Sequence, residues 1–415
     1  MSFTSRSTKK HHERVEFPLN CSVAALQGKK CPNKYPSVFE PDESSTETCP
    51  NYFRWIHQDL QQWKTSGITE DMIERGKASA HFRLVIVGGN VYVEKYTRPY
   101  QTRDVFTKWG ILQLLRLYPG KVPDLDLLFY SGDETKIMRS DYQGPNSTLA
   151  PPLFHYCGSE ETLDIVFPDW TFWGWAEVNI MPWEDMLRAI KKGRKRTKWE
   201  QREPYAFWKG NPHVAKNRLD LMKCNLSDQY DWNVRLYYKN WSKVVDEGFN
   251  NSKLEDQCTY RSMVPMQHYW PIRSQDKCRD LKFAVEWGNN HTQQAQDIGK
   301  AGSKFIEEIL TMRNVYDYMF HLLNEYSKLL KYKPTVPSKA RRICVESTAC
   351  KQKGVWKEFL FQSLVKSPSN KPPCELPPPY EPQAIQASMD KIDNIDKQVE
   401  NWGNVYWNKL NDTNQ

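Results

Sequence analysis

The stretch Asp164–Asp185, DIVFPDWTFWGWAEVNIMPWED, constrains this chain most. A short apolar run ends at Pro168. Trp170, Trp173, Trp175 and Trp183 follow, with Asp169, Glu177 and Glu184 among them. Pro182 then opens a helical segment whose first turn carries Glu184 and Asp185, where acidic side chains suit the helix dipole. The order is strand, aromatic loop, helix. In α/β proteins, ligands sit at the carboxyl ends of strands. Indole faces beside carboxylates suit a sugar ring or a peptide, because the ring offers a flat apolar surface. A Trp-rich core corner uses the same residues, and the pattern alone leaves both open.

A chain of 415 residues has room for two domains or one large α/β unit. With 16 Trp and 13% aromatic residues it excludes a disordered composition. The mean hydropathy of −0.75 describes a polar, soluble chain. A net charge of +8 favours anionic partners such as nucleotide phosphates. The 10 Cys form no CxxC and no Cys/His cluster with zinc spacing. Their even number fits disulfides in a secretory compartment, the alternative being reduced buried thiols in the cytosol. Sequons at Asn146, Asn225, Asn240, Asn250, Asn290 and Asn411 favour an endomembrane lumen. Against that, MSFTSRSTKKHHERVEF shows no signal-peptide core, and no membrane-spanning run of about 18 apolar residues is visible. The chain is therefore either cytosolic or starts downstream of a lost anchor.

Residues 1–48 read as a polar stem or disordered arm. Phe53, Ile56, Leu60 and Trp63 then recur at helical spacing, and Thr69-Glu70-Asp71 opens a second helix. In FRLVIVGGNVYVEKY, two β-rich runs flank Gly88-Gly89-Asn90, which predicts a hairpin rather than a phosphate loop. Arg103–Leu117 reads as a helix stopped by Pro119-Gly120. Leu125–Tyr130 reads as a buried strand, with Ser131-Gly132-Asp133 as the turn at its carboxyl end. A carboxylate there is placed to act as a general base, although a turn Asp bonding its own backbone looks the same. Asp124 and Asp126 make a D-x-D that could hold a divalent metal with phosphates; the reading adopted is structural.

The basic run KKGRKRTK after Trp183–Lys192 reads as a solvated helix end, since no DNA-binding motif or second basic cluster accompanies it, and no nucleic-acid partner is expected. YAFWKGNPHVAKNRLDLMK reads as a strand at Tyr205–Trp208, a sharp turn, and a helix start from Asn217. Amides at such a turn can cradle a phosphate, and Lys209 or Arg218 can pair with it; an ordinary β–α turn with surface cations is the alternative. VRLYY is a further strand. Gly302–Tyr332 shows a long apolar helical stripe ended by Pro334. Residues 334–415 read as a Pro-rich linker, a short amphipathic helix and a polar tail.

CPNYFRWIHQDL, FPDWTFWGWAEVNI, YAFWKGNP, MVPMQHYWPI and GSKFIEEILTMRNVYDYMFHLLNEYSKLL together resemble the Rumi-like protein O-glucosyltransferases, and among them the plant branch, over roughly residues 45–335. The resemblance implies an α/β, GT-B-type fold: two Rossmann-like domains with the site in the cleft between them. The expected domains are an acceptor-side domain over 49–200 and a nucleotide-sugar-binding domain over 201–333, closed by a long helix at 303–332. It implies a UDP-sugar donor, no essential metal, and a glycoprotein or polysaccharide acceptor. The expected setting is the endoplasmic reticulum or Golgi lumen, with a membrane anchor absent from this chain. By position Asp133 matches the family's general base. Arg103, Lys209, Gly210, Asn211 and Arg218 match donor contacts. Asp169, Trp170, Thr171, Phe172 and Trp173 match the acceptor-facing loop.

One departure stands out. In the family, a strand and a Gly-rich donor-binding segment lie between motifs that here adjoin directly at Tyr260-Arg261-Ser262-Met263. The missing piece is expected to be a β–α unit of the C-terminal domain, which leaves that domain incomplete and removes part of its donor-binding surface. The expected function is transfer of glucose or xylose from a UDP-sugar to a protein or polysaccharide hydroxyl. The alternative is a catalytically impaired product of the same fold that serves only in binding or regulation.

Overall fold

The computed structural model describes residues 17, 19, 21–22, 31, 38, 41, 47–214, 216–238, 263–273 and 275–413. Most of the expected arm over 1–48 and the Tyr260–Ser262 junction lie outside the described residues. The strands are β1 Phe82–Val87, β2 Asn90–Lys95, β3 Leu125–Phe129, β4 Leu153–His155, β5 Ile165–Val166, β6 Ala206–Gly210, β7 Val234–Tyr238 and β8 Arg341–Ile343. The chain forms two compact units, each assembled from separate pieces. The first takes Met1–Glu47, Gln62–Phe167 and Met319–Glu375; the second takes Thr48–Gln61, Pro168–Tyr318 and Leu376–Gln415.

The first unit is built on a mixed sheet of order β5-β4-β3-β1-β2-β8. The predicted hairpin is present: Val87 pairs with Asn90, and Gly88 and Gly89 turn the chain at φ of 55° and 71°. Those left-handed conformations are the reason glycine occupies both positions. β3, β4 and β5 run parallel, so their carboxyl ends share one edge. β3 is buried along its whole length. Phe129 stacks on Phe82 at 5.1 Å and on Phe154 at 5.2 Å and meets Phe167 edge-on at 5.2 Å.

The D-x-D carboxylates both have protein partners. Asp126 accepts from Arg83 Nε at 2.7 Å and Nη2 at 2.5 Å, and Asp124 accepts the Gly88 N–H at 2.8 Å. The helix Glu70–Gly76 begins where Thr69 predicts, with the Thr69 hydroxyl accepting from Met72 N. The helix Arg103–Leu117 is buried on nearly all sides, including Arg103, Asp104, Lys108 and Arg116.

Two expectations change. The apolar stripe over 303–332 is not one helix: Thr292–Ile309 ends, and Met312–Ser327 begins anew. The Leu310 carbonyl is taken by the Trp183 indole N–H, and Thr311 Oγ1 accepts from Asn314 N at 3.2 Å to cap the second helix. Local capping thus overrides an unbroken hydrophobic period. Residues 334–415 are also more ordered than a linker and tail. β8 adds to the sheet edge, with Tyr92 paired to Arg342. Helices form at Gly354–Gln362 and Pro382–Thr413. The disulfides Cys21–Cys350 and Cys31–Cys344 fasten N-terminal residues to this segment within the first unit.

The second unit contains β6 and β7 as a two-stranded parallel sheet with Trp208 opposite Leu236. Ala206, Trp208, Val234 and Leu236 pack on Cys224, Leu221, Met222, Cys278 and Leu281, and the Cys224–Cys278 disulfide closes that core. The opposite face carries Phe207, 67% exposed, and Tyr237, 53% exposed, with ring centroids 5.2 Å apart. Among the described residues, no helix is long and apolar enough to cross a membrane.

Candidate active site

The predicted base lies where the parallel strands of the first unit end. β3 stops at Phe129 and the chain turns through Ser131-Gly132-Asp133. Arg103, in the first turn of its helix, reaches this turn with one nitrogen: Nη1 donates to Asp133 Oδ1 at 2.7 Å and to the Ser131 carbonyl at 3.2 Å. The Asp133 side chain is 69% exposed, whereas that of Arg103 is 5% exposed. A buried, permanently charged fork therefore holds a carboxylate that still faces solvent. The Arg103 guanidinium also lies 5.3 Å from the Tyr100 ring.

Residues that sequence reading did not single out brace the same turn. His81, just before β1, accepts the Ser131 N–H at Nδ1, 2.9 Å away. His155, at the end of β4, places Nε2 3.0 Å from the Gly132 carbonyl. Its Nδ1 likewise lies 3.0 Å from the Cys157 carbonyl, so either ring nitrogen can be the donor. Its Nδ1 lies 3.4 Å from Cys157 Sγ. The Tyr156 hydroxyl bonds Ser131 Oγ at 3.2 Å and contacts Thr107 Oγ1 at 2.5 Å. Gly132 has no room for a side chain, since a Cβ there would stand 2.2 Å from the Tyr130 hydroxyl. Burial holds the His81 imidazole below its ordinary pKa of 6.5, and Asp104 opposes that effect. The signal available in the sequence was positional: each histidine flanks a strand end, His81 before β1 and His155 closing β4.

Four of the five predicted donor residues, Lys209, Gly210, Asn211 and Arg218, follow one another in the second unit, whereas Arg103 belongs to the first unit and holds the Asp133 turn. Lys209 and Gly210 end β6, and Gly210 is closely covered by the Trp208 ring. Asn211 Oδ1 accepts the His213 N–H at 2.9 Å, which shapes the turn. Arg218 follows on the short helix Lys216–Leu219 and is half-buried. Strand, turn and helix thus come in the predicted order.

The predicted acceptor loop is packed inward within the second unit. Asp169 Oδ1 accepts from Thr171 N at 2.8 Å and caps a single turn over Trp170–Phe172. Trp170, Thr171, Phe172 and Trp173 are all buried. Trp173 is fully enclosed, and its indole N–H donates to the Tyr316 hydroxyl at 2.9 Å. Trp170 meets Trp175 edge-on at 5.3 Å, and Trp175 and Glu177 are among the half-buried residues of the stretch, as is Asp169. The aromatic ladder thus serves as a core corner, and the faces of Trp170 and Trp173 are spent on protein packing.

The family model for glycosyl transferase family 90 matches residues 44–262 and 259–403. Among similar curated proteins, an O-glucosyltransferase rumi homolog of Aedes aegypti is 24% identical over 358 residues, covering 72% of this chain and 85% of that protein. Protein O-glucosyltransferase 2 of Danio rerio is 24% identical, with 72% of this chain and 67% of that protein covered. Protein O-glucosyltransferase 1 of Homo sapiens is 22% identical, with 72% and 84% covered.

Proposed function

Because the chain belongs to glycosyl transferase family 90 and is an enzyme that transfers a sugar, we propose that it moves glucose or xylose from a UDP-sugar to a hydroxyl of a glycoprotein acceptor. The observation that carries the reading is the exposed Asp133 carboxylate, held by buried Arg103 at the carboxyl end of β3. In this role Asp133 removes the proton of the acceptor hydroxyl as that oxygen attacks the anomeric carbon. Arg103 orients the carboxylate. Lys209, Asn211, Arg218 and the amides of their turn bind the diphosphate and stabilise the UDP that leaves. The loop Asp169–Trp173 serves the acceptor side by fixing backbone, since its side chains other than the half-buried Asp169 are buried.

The same reading expects a GT-B-type enzyme of two Rossmann-like domains, over 49–200 and 201–333, working without an essential metal. It places the protein in a secretory lumen, which the disulfides support. The reading keeps the expected gap between Tyr260 and Met263, where the two matched pieces of the family model overlap at residues 259–262. Its expected cost is donor affinity. UDP release from UDP-glucose and UDP-xylose, with and without secreted glycoprotein acceptors, tests the activity. Failure to release UDP from either donor sinks the reading. Calorimetry with UDP, repeated on a version with the family's segment restored, tests the gap; equal affinity in both contradicts it.

A further inference from the structure

We propose that His81 is a positioning residue for the Asp133 turn, and that it works only as the neutral imidazole. The proposal rests on the reading of Asp133 as the base. The Ser131 N–H points at His81 Nδ1 from 2.9 Å, and a backbone amide can only donate. His81 Nδ1 therefore carries no proton. His81 is itself fixed by its backbone: its N–H donates to the Phe129 carbonyl at 2.7 Å, and its carbonyl accepts from Tyr96 N at 2.9 Å. Its ring also packs on Tyr130 at 4.5 Å. The acceptor is thus anchored to two strands, and it anchors the residue two before the carboxylate.

Two peptides further on, His155 Nε2 faces the Gly132 carbonyl at 3.0 Å. Arg103 then holds the carboxylate and the Ser131 carbonyl. Ser131, Gly132 and Asp133 are each tied to a different element. The shape of the turn, and hence the direction of the carboxylate, depends on an acceptor at His81.

Protonation of His81 turns that acceptor into a donor facing a donor, and the turn is pushed away. The charged groups around the ring are Asp104 and Arg103 from the helix, Lys136 from the loop after the turn, and His155 from β4. Asp104 favours the imidazolium, while Lys136, Arg103 and His155 oppose it together with burial. His81 is accordingly neutral at pH 7, and its protonation is reached only below its ordinary 6.5.

The test compares wild type with His81→Asn, whose Oδ1 replaces the accepting nitrogen without titrating, and with His81→Phe, which has no acceptor. Asp133→Asn is run alongside. The readouts are the pH profile of UDP release from UDP-glucose and the amide resonance of Ser131. His81→Phe is expected to lose about ten- to a hundredfold in kcat at every pH, with donor KM nearly unchanged, as for a misplaced catalytic group. His81→Asn is expected to keep activity and to lack the inflection below pH 6.5 that is expected of wild type. The Ser131 amide is expected to shift as wild-type His81 titrates and to stay still in His81→Asn. An inactive Asp133→Asn beside a fully active His81→Phe overturns the proposal while leaving the base in place. A fully active Asp133→Asn overturns the base, and the Ser131 resonance then decides whether His81 holds the turn. A Ser131 amide that ignores the His81 titration contradicts the proposal irrespective of turnover.

Discussion

Arg103 Nη1 donates to Asp133 Oδ1 at 2.7 Å, joining a buried guanidinium to an exposed carboxylate 30 residues away. The sequence resemblance assigned one residue to the donor and the other to the base, and the fold pairs them. Arg103→Gln is expected to lower kcat by about tenfold or more, because the carboxylate loses its direction. The same variant leaves donor KM nearly unchanged if Arg103 acts through Asp133, and raises it if Arg103 binds donor directly. Steady-state kinetics on UDP-glucose separates the two.

The Arg83–Asp126 pair carries stability rather than chemistry. Both side chains are buried, at 5% and 0% exposure, and Tyr332 Oη adds a bond to Asp126 Oδ2 at 2.9 Å. Removing one partner strands the other charge in the core. Arg83→Met is expected to cost about 3–5 kcal/mol of stability, read as a lowered denaturation midpoint.

Trp173 and Tyr316 test the reading of the aromatic stretch as a core corner. Burial raises the Tyr316 phenol above its ordinary range, so it stays protonated and accepts from the Trp173 indole. Tyr316→Phe removes only the accepting oxygen and is expected to cost about 1–3 kcal/mol. If thermal denaturation shows no loss while acceptor KM rises, the indole belongs to the substrate instead.

Cys224–Cys278 closes a loop with a sequence separation of 54. By chain entropy such a bond contributes about 4 kcal/mol. The Cys224→Ser/Cys278→Ser double variant is expected to lose most of this, with the loss confined to the unfolding of the second unit in limited proteolysis. Peptide mapping without reductant is expected to recover the linked pair.

Stability also depends on pH through His81. Its folded pKa is lowered by burial, so below 6.5 the unfolded chain binds more protons than the folded one. The His81 contribution is complete above 6.5 and is lost as pH falls toward the folded value. Melting temperatures of wild type and His81→Asn are expected to fall away from each other on acidification, with wild type losing more.

Much of the first unit was legible in the sequence. The Gly88-Gly89 hairpin, the Thr69 cap and the strand ending before Asp133 are local signals, and each sits where its residues place it. β8 was not legible, because three residues, Arg341–Ile343, owe their strand to β2 rather than to their own pattern. The break at Leu310 was hidden because the apolar period runs on through it, while the Thr311 cap and the Trp183 indole on the Leu310 carbonyl appear only in the fold. His81 and His155 escaped notice for the same reason: each bonds a backbone group that only the sheet brings near. The inward packing of the Trp stretch was not legible, since its residues show aromatic surface but not which way that surface is turned.

The central claim is that Asp133 takes the acceptor proton, and Asp133→Asn tests it most directly. The asparagine oxygen can still accept from Arg103, so fold and UDP binding are expected to be unchanged by thermal denaturation and calorimetry. Sugar transfer from UDP-glucose is predicted to fall by about 10²–10⁴-fold. An Asp133→Asn enzyme that transfers at the wild-type rate would contradict the account.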